Sequence, residues 1–244
     1  MKKFMRFLVA GALLCGSLVA KDITKDTLIV GTNAEYPPFE FVDENSKVTG
    51  FDMDLVAELA KRAGIKYEIL NMSFDGLIPA LKTGKIDAAL SGMSATEERR
   101  KSVDFTKPYY FSDNLFIRKK GTDVNATNMH LKKISAQIGT LQETAAKSIC
   151  GDLAVPAETV AAAILSLKAG KIDVVLTDSP IGYEYLKQNS DLEEFLKLPD
   201  GTEGFAVAFN KGKHLELIGK IDAAIEELKK SGEFDKMMEK YGLK

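Results

Sequence analysis

Beyond Asp26 the apolar positions switch repeatedly between short runs of strand-forming residues and helical stripes, the alternation of an α/β chain with parallel strands. Leu28, Ile29 and Val30 read as a first strand, and residues 39–42 and 48–51, separated by the polar stretch 43–47, read as a hairpin. Leu55, Leu59 and the alanines around them predict a helix stopped by Gly64, with a strand to follow over 67–70. Near the C-terminus Leu217, Ile221, Ile225 and Leu228 share one helical face and predict an ordinary core stripe.

The same pattern recurs within the chain. LIPALKTGKIDAALS at 77–91 returns as AILSLKAGKIDVVLT at 163–177, each copy a helix, a glycine cap and a buried strand. Two copies are too few for a solenoid, so they predict two similar α/β lobes. Ligands of open parallel sheets bind beyond the carboxyl ends of the strands. Both copies end there in polar residues: Ser91, Gly92, Met93 and Ser94 in the first, Thr177 and Asp178 in the second. Lobes that face each other would set these clusters on opposite walls of one cleft.

Composition narrows the classes. The 244 residues are 45% hydrophobic and 28% charged, an ordinary globular balance. With 33 Lys and Arg against 35 Asp and Glu there is no basic excess to meet a nucleic acid. Two histidines and two cysteines, far apart in sequence, exclude a structural zinc site or a disulfide framework. The first twenty residues change the compartment: Lys2, Lys3 and Arg6 precede an uncharged run from Phe7 to Ala20, the pattern of a cleavable signal peptide. Removal after Ala20 takes away three of the 33 basic residues and leaves an acidic product of charge −5, exported to the periplasm. A lipid anchor on Cys15 would want a small residue before it, and Leu14 stands there. Cys150 reads as a small buried apolar residue.

Ser94 and Glu97 have the spacing of a capping box, which predicts a helix starting at Ser94 with its N–H groups turned to the cleft. Arg99 follows within a turn and a half, where it can fork a carboxylate; taken alone, it could equally pair with Glu97 or Asp104. Asp178 occupies a place where a buried carboxylate needs a cation or donors, and it can also cap the helix that starts near Pro180. A carboxylate clamp facing an ammonium clamp describes a free α-amino acid. Tyr36 and Phe74 add two rings that could flank its side chain. No nucleophile elbow, triad, phosphate loop or dinucleotide fingerprint occurs.

Five segments together, AEYPPFEF (34–41), GFDMDL (50–55), FDGLIPAL (74–81), SGMSATEER (91–99) and VDFTKPYY (103–110), resemble the polar amino-acid family of periplasmic solute-binding proteins, the receptors of bacterial ABC importers. The resemblance implies a two-lobe Venus-flytrap fold, each lobe a mainly parallel sheet flanked by helices, with residues 21–111 and 206–244 in the first lobe and 112–205 in the second. By the family pattern Arg99 takes the ligand carboxylate with amides at Ser94 and in the turn of Gly139, Thr140 and Leu141. Asp178, Ser94 and the Gly92 carbonyl take the ammonium, Tyr36 and Phe74 flank the side chain, and Asn33, Asp52, Ser91 and Gln137 read its polar end, with Met93 in the same strand-end cluster. It further implies a monomer that hands its ligand to a membrane permease, without catalysis, cofactor or metal. The rival is a dehydratase of prephenate-like acids on the same fold, against which the ammonium site at Asp178 argues. Asn33 stands where arginine- and histidine-binding relatives usually carry an acid, so Asn33 and Gln137 lean towards a neutral polar ligand such as glutamine over arginine, lysine or histidine. The pattern departs over residues 147–159.

Overall fold

The computed structural model describes residues 27–244. The leader at 1–20 and Cys15 lie outside the described residues. The chain begins with β1 (Leu28–Thr32), a small ladder of β2 (Glu35–Tyr36), β3 (Glu40–Val42) and β4 (Val48–Thr49), then α1 (Phe51–Ala63), β5 (Tyr67–Asn71), a 3-10 turn at Phe74–Gly76 running into α2 (Leu77–Thr83), β6 (Ala88–Ala89), α3 (Glu97–Arg100) and β7 (Val103–Phe105). It crosses to β8 (Asp113–Lys119), β9 (Ile134–Gln137), α4 (Leu141–Cys150), β10 (Val155–Ala157), α5 (Val160–Lys168), β11 (Val174–Asp178), α6 (Ser179–Gln188) and β12 (Leu192–Pro199). It then returns through β13 (Ala208–Asn210) to α7 (Leu215–Ser231) and α8 (Glu233–Lys240).

Two five-stranded sheets result, ordered β5-β1-β6-β13-β7 and β10-β9-β11-β8-β12. In the first, β13 alone runs against its neighbours. In the second, that strand is β8. The reversed strand in each sheet is thus the one by which the chain arrives from the other. The two copies of the internal repeat supply β6 and β11, which hold the same third place in their sheets. Residues 147–159 contain the end of α4 and the edge strand β10.

Each sheet is covered by helices because their apolar stripes face it. Phe51, Leu55 and Leu59 of α1 pack with Leu217, Ile221, Ile225 and Leu228 of α7 in one cluster, while α2 closes the other face of the first sheet with Leu77, Ala80 and Leu81. Burying each such side chain contributes roughly 1.5–3 kcal/mol. At the crossover, Phe39 meets Phe51, Tyr110 and Phe205 edge to face at 5.9, 5.0 and 5.3 Å. The two crossing segments are tied by Phe205 N to Tyr110 O at 2.7 Å and Tyr109 N to Phe205 O at 2.8 Å.

One expected boundary is corrected. The helix bearing Arg99 does not start at Ser94; Thr96 caps it, its Oγ1 accepting from Arg99 N at 3.2 Å. Residues before it are held extended by the returning chain: Ala206 N donates to Met93 O at 3.0 Å and Ala95 N to Gly204 O at 2.8 Å.

Candidate ligand-binding site

Between the sheets lies a small cavity lined by Tyr36, Phe74, Gly92, Ser94, Arg99, Gln137, Thr140, Leu141, Gln142 and Asp178. Its walls are built at the carboxyl ends of β6, β9 and β11, as expected for open parallel sheets.

Arg99 donates from Nη1 to Ser94 O at 2.8 Å and from Nη2 to Gly139 O at 3.0 Å, and its guanidinium lies over the Phe74 ring at 5.4 Å. Two of its five N–H donors are thereby used, and the others can take a carboxylate. Surrounding protein pulls Arg99 down to about 10, with Asp178 and Tyr36 opposing, so it stays cationic at neutral pH. The alternative partner Asp104 is taken by Lys211 at 2.9 Å and Gly212 N at 2.6 Å.

Across the cavity, Asp178 is 3% exposed. Its Oδ2 accepts from the Tyr36 hydroxyl, while Oδ1 has no hydrogen bond of ordinary geometry. Burial pushes Asp178 up to about 6, against the Tyr36 and Ser112 hydroxyls and the charge on Arg99. It holds the N-cap position of α6, yet its side chain makes no capping bond and stays with the cavity. Thr140 caps α4, Oγ1 accepting from Glu143 N at 3.1 Å, and Thr140, Leu141 and Gln142 at that end of the helix line the cavity.

Four expected residues stand behind the wall instead of on it. Ser91 and Met93 flank Gly92, whose φ of 50° bends the chain there, and neither side chain lines the cavity. Ser91 Oγ donates to Glu40 Oε1 at 2.9 Å, and Met93 is part of the first-sheet core. Asp52, fully buried, accepts from Gly92 N and from the Tyr109 hydroxyl at 2.9 Å each. Asn33 is 5% exposed and its Oδ1 accepts from Gln137 Nε2 at 2.9 Å. Gln142 was not anticipated. Its signal was available in the Thr140-x-x-Glu143 cap, which makes the whole first turn of α4 part of the wall.

The halves meet closely. Besides the Tyr36 to Asp178, Arg99 to Gly139 and Gln137 to Asn33 bonds, Gly139 at φ 78° sits against Asp75, where an added Cβ would come within 2.8 Å of the Asp75 Cβ. Only glycine fits that contact. Among the described residues, no group of three or more His, Cys, Asp or Glu side chains could hold a metal ion.

Fold and cavity define a two-lobe α/β protein that encloses a small polar molecule between its sheets. Residues 28–244 match the model of the bacterial extracellular solute-binding proteins, family 3, and the chain belongs to that family of extracellular proteins. It is similar to a probable histidine-binding protein of Campylobacter jejuni, 46% identical over 89% of this chain and 85% of that one. A putative ABC transporter arginine-binding protein 2 of Escherichia coli is 33% identical over 97% of this chain and 99% of its own. Ancestral arginine-binding proteins solved with arginine and with glutamine bound match at TM-score 0.83, 40% and 39% identity, 89% of this chain and 99% and 98% of theirs.

Proposed function

We propose that the protein captures a free L-amino acid with a basic side chain and passes it to the permease of an ABC importer. The carrying observation is the pair of complementary groups on opposite walls of one small cavity: a cation with unused donors at Arg99 and a carboxylate oxygen without a donor at Asp178 Oδ1. In this reading Arg99 and the first-turn amides of α4 take the carboxylate. Asp178 Oδ1, Ser94 and the Gly92 carbonyl take the ammonium, and Tyr36 and Phe74 flank the side chain. Residues 21–111 with 206–244 form one lobe and 112–205 the other, and ligand closes them about the crossing segments near 110–114 and 204. The protein is exported by its cleaved leader, works as a monomer in the periplasm and releases its ligand unchanged.

The basic side chain draws support from the names of the histidine- and arginine-binding relatives. The lean towards glutamine rested on Asn33 and Gln137 together, and of these Gln137 lines the cavity while Asn33 is turned onto Gln137 behind the wall. Glutamine remains a second reading on two observations: Gln137 and Gln142 line the cavity, and an ancestral relative holds glutamine.

The test is to unfold and refold residues 21–244, so stripping carried ligand, and to measure thermal shifts with all twenty amino acids. The largest shifts with arginine, lysine or histidine support the proposal. A largest shift with glutamine installs the second reading, no shift with any amino acid refutes both, and turnover of prephenate makes the protein an enzyme.

A further inference from the structure

In the reading above, one lobe supplies partners for both ends of the ligand's amino-acid head: Asp178 at the end of β11 for the ammonium, and the first turn of α4 for the carboxylate. The spacing between these partners decides which heads fit. An α-amino acid carries its ammonium and carboxylate on the same carbon, and a site discriminates against a longer head only when its groups are held to about 0.5 Å. Two elements so far apart in sequence need a link that holds them.

Asn114 on β8 provides one. Its backbone stands opposite Asp178 in the antiparallel ladder of β8 with β11, a pairing that sets two Cα atoms about 4.5–5.5 Å apart. Its side chain reaches α4: Gln142 Nε2 donates to Asn114 Oδ1 at 3.2 Å. Asn114 is 8% exposed and Gln142 3%, so breaking this bond leaves two desolvated amides. The other side-chain bonds of the turn are local. Thr140 Oγ1 donates to Gln137 O and accepts from Glu143 N, while the Glu143 carboxylate holds Gly139 N and Lys147, all within residues 137–147. Among the described residues, the bond to Asn114 is thus the side-chain hydrogen bond that ties this turn to the sheet of its own lobe. Gln142 lines the cavity and Asn114 does not.

We propose that Asn114, acting through Gln142, fixes the separation between the first turn of α4 and Asp178 and so selects α-amino acids against ligands with a longer head. This rests on the reading of the cavity as an amino-acid site. From Asp178 to the turn the path is one cross-strand pair and one buried hydrogen bond, a short and stiff connection. A β-amino acid, whose carboxylate stands one methylene further from the carbon bearing the ammonium, can satisfy Asp178 or the turn in full but not both. With the bond removed, the turn can shift along the wall and the choice weakens. Arg99 belongs to the opposite lobe and approaches either ligand on closure, so it sets affinity for both. Asn114 is a positioning residue.

Calorimetry with arginine and β-homoarginine tests this, because the two share side chain and charge and differ by that methylene. The wild-type protein, refolded free of ligand, is expected to prefer arginine. Asn114→Ala should weaken arginine about three- to tenfold, the worth of one hydrogen bond between neutral groups, and change β-homoarginine little, so the ratio of affinities falls. A merely structural loss would weaken both ligands alike and leave the ratio where it was. Gln142→Ala should lower the ratio too, and the double variant no further than the single ones, since both substitutions remove the same bond. Should Asn114→Ala not fold, Gln142→Leu, which keeps the bulk and loses the donor, decides by the same ratio. Where glutamine proves the tighter ligand, glutamine and β-homoglutamine replace the two probes. Equal wild-type affinities, an unchanged ratio in folded Asn114→Ala or Gln142→Leu, or additive losses in the double variant overturn the proposal while leaving amino-acid binding intact. Binding of no amino acid at all overturns the amino-acid reading itself, and the proposal with it.

Discussion

Asp178 works with one oxygen held by Tyr36 and one buried without a hydrogen-bond partner, and Arg99 with two donors spent on backbone carbonyls. Truncating either to alanine is expected to weaken ligand binding by about 2–5 kcal/mol, since each leaves a desolvated partner charge unmatched; calorimetry reads this directly. Tyr36→Phe keeps the ring and loses the hydroxyl, with an expected penalty of about 1.5–3 kcal/mol for a hydrogen bond to a charged group. Because folding raises Asp178 from the ordinary carboxylate value to about 6, the folded protein binds the extra proton between those limits. Its contribution to the stability of the free protein is present below the ordinary value and is lost as pH rises through about 6. Ligand ammonium needs the ionised form, so affinity moves oppositely and falls as pH drops below about 6. Thermal unfolding with and without ligand across that window should show the two melting curves converging towards acid. Arg99, Asp178, Tyr36 and Phe74 were legible in sequence because a charge or a ring next to a strand end has few other uses. Ser91, Asp52 and Asn33 stand one layer behind the wall, since sequence shows that a polar residue is near the strand end but not which way its side chain turns.

At the scale of elements, the repeated helix-glycine-strand unit and the stripe of α7 were readable because each is set by local periodicity. Leu228, fully buried in that stripe, should lose about 2–5 kcal/mol of stability on mutation to alanine by denaturant unfolding, with ligand affinity retained. Lys229 and Lys230 lie at the end of the same helix, outside the cavity wall, and their alanine variants should bind normally. The start of α3 was misread because two caps compete in SATEER: Ser94 has the favourable spacing, but its backbone segment is already committed to residues 204–206. Contacts between positions so far apart in sequence leave no local trace. Strand order was invisible for the same reason, since nothing near β8 or β13 announces that each inserts, reversed, as the fourth strand of its sheet.

For the whole molecule, both sheets aim their strand ends at one gap, and the bonds spanning it join side chains or carbonyls from each side. Ligand should therefore shrink the particle, which small-angle scattering of the refolded protein can follow as a fall in radius of gyration. The approach of the halves ends where the bare Cα of Gly139 meets Asp75. A single methyl group at that spot would act as a doorstop. Gly139→Ala is expected to leave each half folded but the gap ajar, with ligand held by one wall and exchanging rapidly, and with scattering indifferent to its addition. How far the jaws can bite is set at this point by an atom that is missing, so the tightness of the grip could be tuned without altering any group that touches the ligand's side chain.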